Sequence, residues 1–274
     1  MSEKPKLRAF YETDSLHTEV YDALGPSLVM GSPVEGDTDF YRRLARETGG
    51  PILEVGCGTG RVAAALAADG HEVVGVDLSG PMLHLAEQRR QALSGDLAAR
   101  LSFHRADMRT LDLGRDFALI VTPARVFQFM LTSAAQREAL AALRTHLRPK
   151  GRLVLDLFDP RLDLVVRTAE VTRRGGELIH PTTGHRVTWE ITARRPDPAR
   201  QLIDEDWTFS EIEGSGEVLR TTTEQLTLRW SLRSEMQLLF ELVGFEVLAD
   251  YGDFRGGPPA YGREQVWVLG HAEG

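Results

Sequence analysis

The run Pro51-Ile-Leu-Glu-Val-Gly-Cys-Gly-Thr-Gly60-Arg61 constrains this chain more than any other. It opens with an apolar stretch of strand type, Ile52 to Val55, and passes through glycines at alternate positions 56, 58 and 60. It continues into Val62 to Ala68, which is rich in strong helix formers. In α/β proteins a strand, a tight glycine turn and a helix in this order receive a ligand at the carboxyl end of the strand. Glycine suits the turn because it accepts positive φ and lets a ligand reach the backbone with no Cβ in the way. A second buried-strand run, Val73 to Val76, ends at Asp77. That residue lies about twenty positions past the first glycine, the spacing at which an acid meets a ribose hydroxyl pair.

Short apolar runs alternate with helical patterns along the first part of the chain. The predicted strands are 52–55, 73–76, 101–104, 117–121 and 152–158. A helix over 39–47, a helix from Pro81 to Leu93 capped by Ser79, and a helix from Ser133 to Leu147 separate or precede them. Pro149-Lys-Gly151 reads as a turn into the fifth strand. Such alternation predicts a mostly parallel sheet with right-handed crossovers. Residues 1–9 carry no pattern, and Leu16, Val20 and Leu24 predict one short amphipathic helix over 15–24. After Pro160 the pattern changes to β-rich segments at 187–192, 202–209 and 219–230, read as an antiparallel meander. A helix capped by Ser231 or Ser234 and ending at Gly244, then strands at 245–249 and 265–269, complete the chain.

The organisation predicted from these patterns has four parts. They are an N-terminal helical lid at 1–36, a Rossmann-like core at 37–160, a β-meander insertion at 161–230, and a helix with two last strands at 231–274. A chain of 274 residues can bury a substantial core. Its formal net charge of −8 argues against broad contact with nucleic acid or an anionic membrane, both of which need a positive face. Cys57 is the single cysteine, so neither an intramolecular disulfide nor a thiolate metal cluster is expected. The eight histidines are scattered and no metal-ligand spacing stands out. No apolar run has membrane-spanning length and the first residues lack a signal-peptide core, so a cytoplasmic location is expected.

The glycines read G-x-G-x-G, not the dinucleotide-binding G-x-G-x-x-G. With Glu54 before them and Asp77-Leu-Ser-Gly-Pro-Met82 after, the chain resembles class I S-adenosylmethionine-dependent methyltransferases. The resemblance implies a seven-stranded, doubly wound sheet whose last strand is antiparallel, and S-adenosylmethionine as methyl donor. It further implies that Gly56, Gly58, Thr59 and Gly60 cradle the methionyl end, with Glu54 orienting the loop or the donor's amine. Asp77 would accept from the ribose hydroxyls, Leu78 and Met82 would flank adenine, and Asp107 with Met108 would meet its amino group. Thr122 would stand beside the methionyl portion. Arg61 is readable as a partner of the donor's carboxylate or of a neighbouring acid, and Asp107 as a turn or cap aspartate.

The segment Ala124 to Met130 resembles the region after the fourth strand in bacterial small-molecule N- and O-methyltransferases of secondary metabolism, including antibiotic biosynthesis. There the equivalents of Phe127 and Gln128 lie near the transferred methyl group. Tyr21-Asp22 resembles the Tyr-Asp of amino-sugar N-methyltransferases, whose phenol approaches donor or acceptor. Tyr21 and Gln128 are therefore the catalytic candidates, and Tyr11, Phe127 and Phe158 the acceptor-binding ones. Glutamine cannot act as a general base, so Gln128 is read as positioning. Phe127 is equally readable as core filler, and Trp189, Trp207 and Trp230 as packing. The expected acceptor is a small molecule carrying an amine or a hydroxyl, with the amine favoured because no dedicated base is evident.

Overall fold

The computed structural model describes residues 8, 9, 11, 14–25, 34–166 and 175–272. In chain order the first elements are β1 (Arg8–Ala9), α1 (Leu16–Glu19), α2 (Tyr21–Leu24) and α3 (Asp37–Thr48). Then come β2 (Ile52–Val55), α4 (Arg61–Ala68), β3 (Val73–Asp77), α5 (Gly80–Gln91), α6 (Gly95–Ala98) and β4 (Leu101–Arg105). β5 (Phe117–Thr122), a 3-10 turn (Val126–Phe129), α7 (Ser133–Thr145), β6 (Leu147–Phe158) and α8 (Leu162–Val165) follow. β7 (Gly175–Ile179), β8 (Arg186–Asp197), β9 (Leu202–Ile212) and β10 (Val218–Arg229) precede α9 (Arg233–Val243), β11 (Phe245–Tyr251) and β12 (Glu264–His271).

The chain divides into two compact units, residues 34–161 with 230–274, and residues 1–33 with 162–229. The larger unit holds, among the described residues, a seven-stranded sheet in the order β11-β12-β6-β5-β2-β3-β4. β2, β3, β4, β5 and β6 run parallel to their neighbours, whereas β12 is antiparallel to both β6 and β11. The strand order reverses between β2 and β5, which defines a switch point at their carboxyl ends.

Strand alternation explains why helices cover both faces. Leu53 and Val55 of β2, with Ile120, Leu153 and Leu155, join one apolar cluster with Leu140 and Leu143 of α7 and Met236 and Phe240 of α9. Ile52, Leu119, Val121 and Val154 point the other way, into a cluster with Phe40, Tyr41 and Leu44 of α3 and Val62 and Leu66 of α4. At ~1.5–3 kcal/mol for each fully buried aliphatic or aromatic side chain, these two clusters are the main source of stability for this unit.

The smaller unit is built on a second sheet in the order β1-β10-β9-β8-β7. β7 to β10 pair antiparallel as a meander, and β1 adds to its edge parallel to β10. β1 and β7 are absent from the sequence reading. A two-residue strand has no period to detect, and the two glycines opening β7 have low strand propensity.

Several local expectations are corrected. The helix predicted over 15–24 is two single turns, 16–19 and 21–24, because Val20 leaves helical geometry at φ −106°, ψ 7°. The cap of α7 is Thr132, whose hydroxyl accepts from the Ala135 N–H at 3.1 Å, rather than Ser133. Pro149-Lys-Gly151 lies inside β6 as an irregularity: Leu147 pairs with Phe117, and Arg152 already pairs with Leu119. Ser231 does not cap α9, since its hydroxyl accepts from the Gln136 side chain at 3.2 Å. Ser234 lies within the helix, and the residue before its first turn is Leu232.

Candidate active site

The glycine turn is bound to its neighbouring strand. The N–H groups of Gly56 and Cys57 both donate to the Val76 carbonyl, at 2.8 and 3.0 Å, and the Gly60 N–H donates to the Cys57 carbonyl at 2.8 Å. All three glycines have positive φ, +71°, +53° and +74°. Beyond this they serve different ends. A Cβ at Gly56 would fall 2.2 Å from Val126 Cγ2, and one at Gly60 would fall 2.8 Å from Phe103 Cζ. A Cβ at Gly58 would meet nothing within 4 Å. The outer glycines are packing requirements, while Gly58 turns its bare backbone toward open space.

Asp77 closes this loop from the end of β3. One carboxylate oxygen accepts the Gly58 N–H at 2.8 Å and the other accepts the Ser79 N–H at 2.8 Å. Burial pushes this carboxyl above its ordinary value, and the backbone N–H groups of Ser79, Gly58 and Leu78 pull it back. A carboxylate offers about four acceptor positions, so two remain for ligand hydroxyls. Ser79 caps α5 by accepting the Met82 N–H at 3.2 Å. Leu78, between them, is 55% exposed, as a side chain awaiting an apolar face would be, whereas Met82 is buried.

Glu54, on β2, is enclosed and its Oε2 has no hydrogen-bond partner. Burial pushes its carboxyl up to about 8, partly opposed by the Arg61 guanidinium. Arg61 itself is ion-paired with Asp37 and donates to Thr38 Oγ1 at 2.6 Å. Of the two readings of Arg61, the neighbouring acid is the one seen. Thr59 is buried and its carbonyl accepts from Arg89 Nε at 2.8 Å. Burial drives the Cys57 thiol well above its usual range, which fits an inert packing role.

At the end of β4, Asp107 accepts from the Arg109 side chain, and this bond holds its carboxyl below the usual range. Met108 is buried in the larger apolar cluster. Thr122 is fully buried at the end of β5. The segment that follows is forced into an unusual path, with Ala124 and Arg125 at φ +56° and +63°. Asp156 of β6 holds it there, accepting the Arg125 N–H at 2.9 Å and the Tyr41 hydroxyl at 2.7 Å. Burial raises this carboxyl to about 7 against the pull of the Tyr41 hydroxyl. The Arg125 guanidinium is buried and ion-paired with Glu264 of β12.

Beyond Arg125, Gln128 is fully enclosed, and its Oε1 accepts the Phe158 N–H at 3.0 Å. Phe127 is fully buried within the apolar cluster, so of its two readings the structure shows core filler. Phe158 is also buried, with the Arg125 guanidinium 5.9 Å from its ring centre. Tyr41, Arg125, Asp156 and Glu264 were not singled out in the sequence. An ionisable residue inside the apolar run 153–158 was the available signal, because such a residue is rarely buried without a partner. In the smaller unit, Tyr11 and Tyr21 are half-buried and meet edge to face at 5.8 Å. Among the described residues no group of histidine, cysteine, aspartate and glutamate could hold a metal ion.

These residues fit a donor with a carboxylate, an ammonium, a sulfonium and a ribose. Gly58 has bare backbone, Asp77 has free acceptor positions, and Glu54 has an unpartnered buried oxygen able to receive a positive group. The fold is that of the class I methyltransferases. Residues 52–151 match the family described as a methyltransferase domain. The chain is 29% identical to the cypemycin N-terminal methyltransferase of a Streptomyces species, over 93% of this chain and 96% of that one. The CcbJ methyltransferase from Streptomyces caelestis superposes with a TM-score of 0.74 at 23% identity, covering 97% of this chain and 99% of that one. The S-adenosylmethionine-bound CalS10 from Micromonospora echinaspora, an amino pentose methyltransferase, gives a TM-score of 0.64 at 26% identity, covering 94% and 99%. This protein is an S-adenosylmethionine-dependent methyltransferase. No helix among the described residues is long and apolar enough to cross a membrane.

Proposed function

We propose that the enzyme methylates an amine on a small molecule of secondary metabolism. The observation that carries this reading is the extent of the likeness to the cypemycin enzyme, an N-terminal methyltransferase by its name. That likeness spans 93% of the chain, well beyond residues 52–151. The amino pentose enzyme, whose name also specifies an amine-bearing acceptor, aligns over a similar share.

When bound, the donor supplies an electrophilic methyl group on sulfur. The chain's own work is to bind and orient. Gly58 and Asp77 fix the donor's backbone-facing and ribose groups, and Glu54 receives its positive charge. Leu78 and Met82 line the adenine side, with Asp107 and Met108 nearby in sequence. A neutral amine needs no base to attack carbon, so alignment provides the acceleration. Gln128 is a positioning residue in this scheme, holding the Phe158 backbone through its side-chain oxygen. Tyr21 and Tyr11 are assigned to the acceptor.

The test is methyl transfer from labelled S-adenosylmethionine to amino sugars and short peptides, each paired with its hydroxyl counterpart. Label on the amine nitrogen is the expected result. Label confined to the hydroxyl compounds would overturn the amine assignment.

A further inference from the structure

The meander of the smaller unit carries a buried carboxylate whose oxygens make no hydrogen bond within the fold. Three glutamates are buried on this sheet: Glu205 and Glu211 of β9 and Glu224 of β10. Two are fully engaged. Glu205 is ion-paired with Arg194 at 2.5 Å and accepts the Trp207 Nε1–H at 3.0 Å. Glu211 is ion-paired with Arg220 and accepts the Thr183 hydroxyl at 2.7 Å. Glu224 is fully enclosed, yet neither Oε1 nor Oε2 has a hydrogen-bond partner. Nδ1 of His17 in α1 lies 3.5 Å from its Oε2. Two residues back along β10, and therefore on the same face, Thr222 Oγ1 is also buried without a partner.

What surrounds these oxygens is aromatic. Glu224 pairs across the ladder with Trp207, and Thr222 with Phe209. Trp189 stacks on Trp207 at 5.5 Å, and Trp207 on Phe209 at 6.3 Å. The His17 ring lies 5.1 Å from Phe209, 5.0 Å from Tyr11 and 5.7 Å from Tyr21. Tyr11, Tyr21 and Trp189 are the half-buried members of this cluster. Enclosing a carboxylate without a hydrogen bond is costly, and buried charges are ordinarily paired. A carboxylate and a hydroxyl set among aromatic faces match one ligand chemistry, an organic cation able to donate hydrogen bonds.

We infer that Glu224, Thr222 and the rings of Tyr11, His17, Tyr21 and Trp207 form a recognition site for an ammonium group carried by the acceptor, separate from the neutral amine that attacks the methyl group. The inference rests on the amine reading above and adds residues to it: β10 supplies the carboxyl and hydroxyl groups, and Tyr11, α1, α2 and β9 supply the aromatic walls. Glu224 would accept two ammonium protons, Thr222 a third, and the ring faces would surround the carbon skeleton.

The test uses the full-length protein without donor, with cyclohexylammonium and neutral cyclohexanol as probes, and affinity is read by calorimetry. Cyclohexylammonium should bind at least tenfold more tightly than cyclohexanol. Glu224→Gln should erase that preference and Thr222→Val should weaken ammonium binding about threefold, with affinity for S-adenosylmethionine unchanged in both. Glu224→Leu should raise the melting temperature, because it removes a buried carboxyl group whose oxygens have no hydrogen-bond partner. If the two probes bind alike, or if Glu224→Gln retains the preference, the site is refuted. A drop in melting temperature for Glu224→Leu would equally refute it, since it would make the carboxylate a structural partner. Turnover separates this from the parent reading. Probe discrimination without any amine methylation would remove the amine assignment but leave the site. Amine methylation without discrimination would do the reverse.

Discussion

Glu54 should make the stability of the donor-free enzyme fall as pH rises, and Glu54→Gln should abolish that effect. The carboxyl is enclosed on β2 with one oxygen unpartnered, and burial pushes it from 4.5 up to about 8. Below pH 4.5 it is protonated in folded and unfolded chains alike and contributes no pH dependence. Between 4.5 and about 8 the unfolded chain has lost its proton and the folded chain has kept it. Unfolding then releases a proton, so rising pH favours the unfolded state. The loss accrues at ~1.4 kcal/mol per pH unit. Across that window it reaches at most about 5 kcal/mol. Asp156, raised to about 7, adds a slope of the same sign, so the informative quantity is the difference between variant and wild type. Urea unfolding at pH 5, 6, 7 and 8 measures it. The advantage of Glu54→Gln should grow by ~3–4 kcal/mol between pH 5 and pH 8, even if the amide itself costs ~1–3 kcal/mol for its own unmet hydrogen bond. S-adenosylmethionine should restore wild type more than the variant at pH 8, because its positive groups compensate the ionised carboxylate. A variant-minus-wild-type difference that stays flat with pH would refute both the burial argument and the role assigned to Glu54.

Three further outcomes are expected from the same site. Asp77→Ala strips the Gly58 and Ser79 N–H groups of their acceptor and removes the ribose partner, so the Kd for S-adenosylmethionine should rise at least ~100-fold by calorimetry. An unchanged Kd would remove Asp77 from the donor site. Gly60→Ala places a Cβ 2.8 Å from Phe103 Cζ at a φ of +74°, and should cost ~1–3 kcal/mol in thermal unfolding together with donor affinity. A wild-type melting temperature would mean that the turn relaxes freely. Gln128→Ala leaves the buried Phe158 N–H without its acceptor, which should cost ~1–3 kcal/mol of stability and lower kcat while donor affinity holds. Loss of donor affinity with kcat intact would place Gln128 on the wrong side of the reaction.

The glycine turn and its acidic partner were legible because their contacts are local. Gly56 to Gly60 and Asp77 to Met82 lie within one strand-turn-helix-strand passage, and the atoms that do the work are largely backbone, so spacing alone specifies them. Even there, spacing could not separate the packing glycines Gly56 and Gly60 from the ligand-facing Gly58. That distinction depends on Val126 and Phe103, which arrive from other strands and turns. The long-range polar contacts were not legible for the complementary reason. Asp156 meets Tyr41 across 115 residues of chain, and the Arg125–Glu264 pair spans 139. Glu224 stands near His17 only because the meander returns β10 beneath α1. No periodicity encodes such meetings. An ionisable residue in an otherwise apolar run does carry information, however, and Glu54 and Asp156 both sat in plain view. In a chain whose donor motif is already recognised, those interrupted strands are the places where the sequence still has chemistry to give. Glu224 extends the same logic to a strand of alternating pattern, where a charge on the buried face stands out only once the register of β9 and β10 is known.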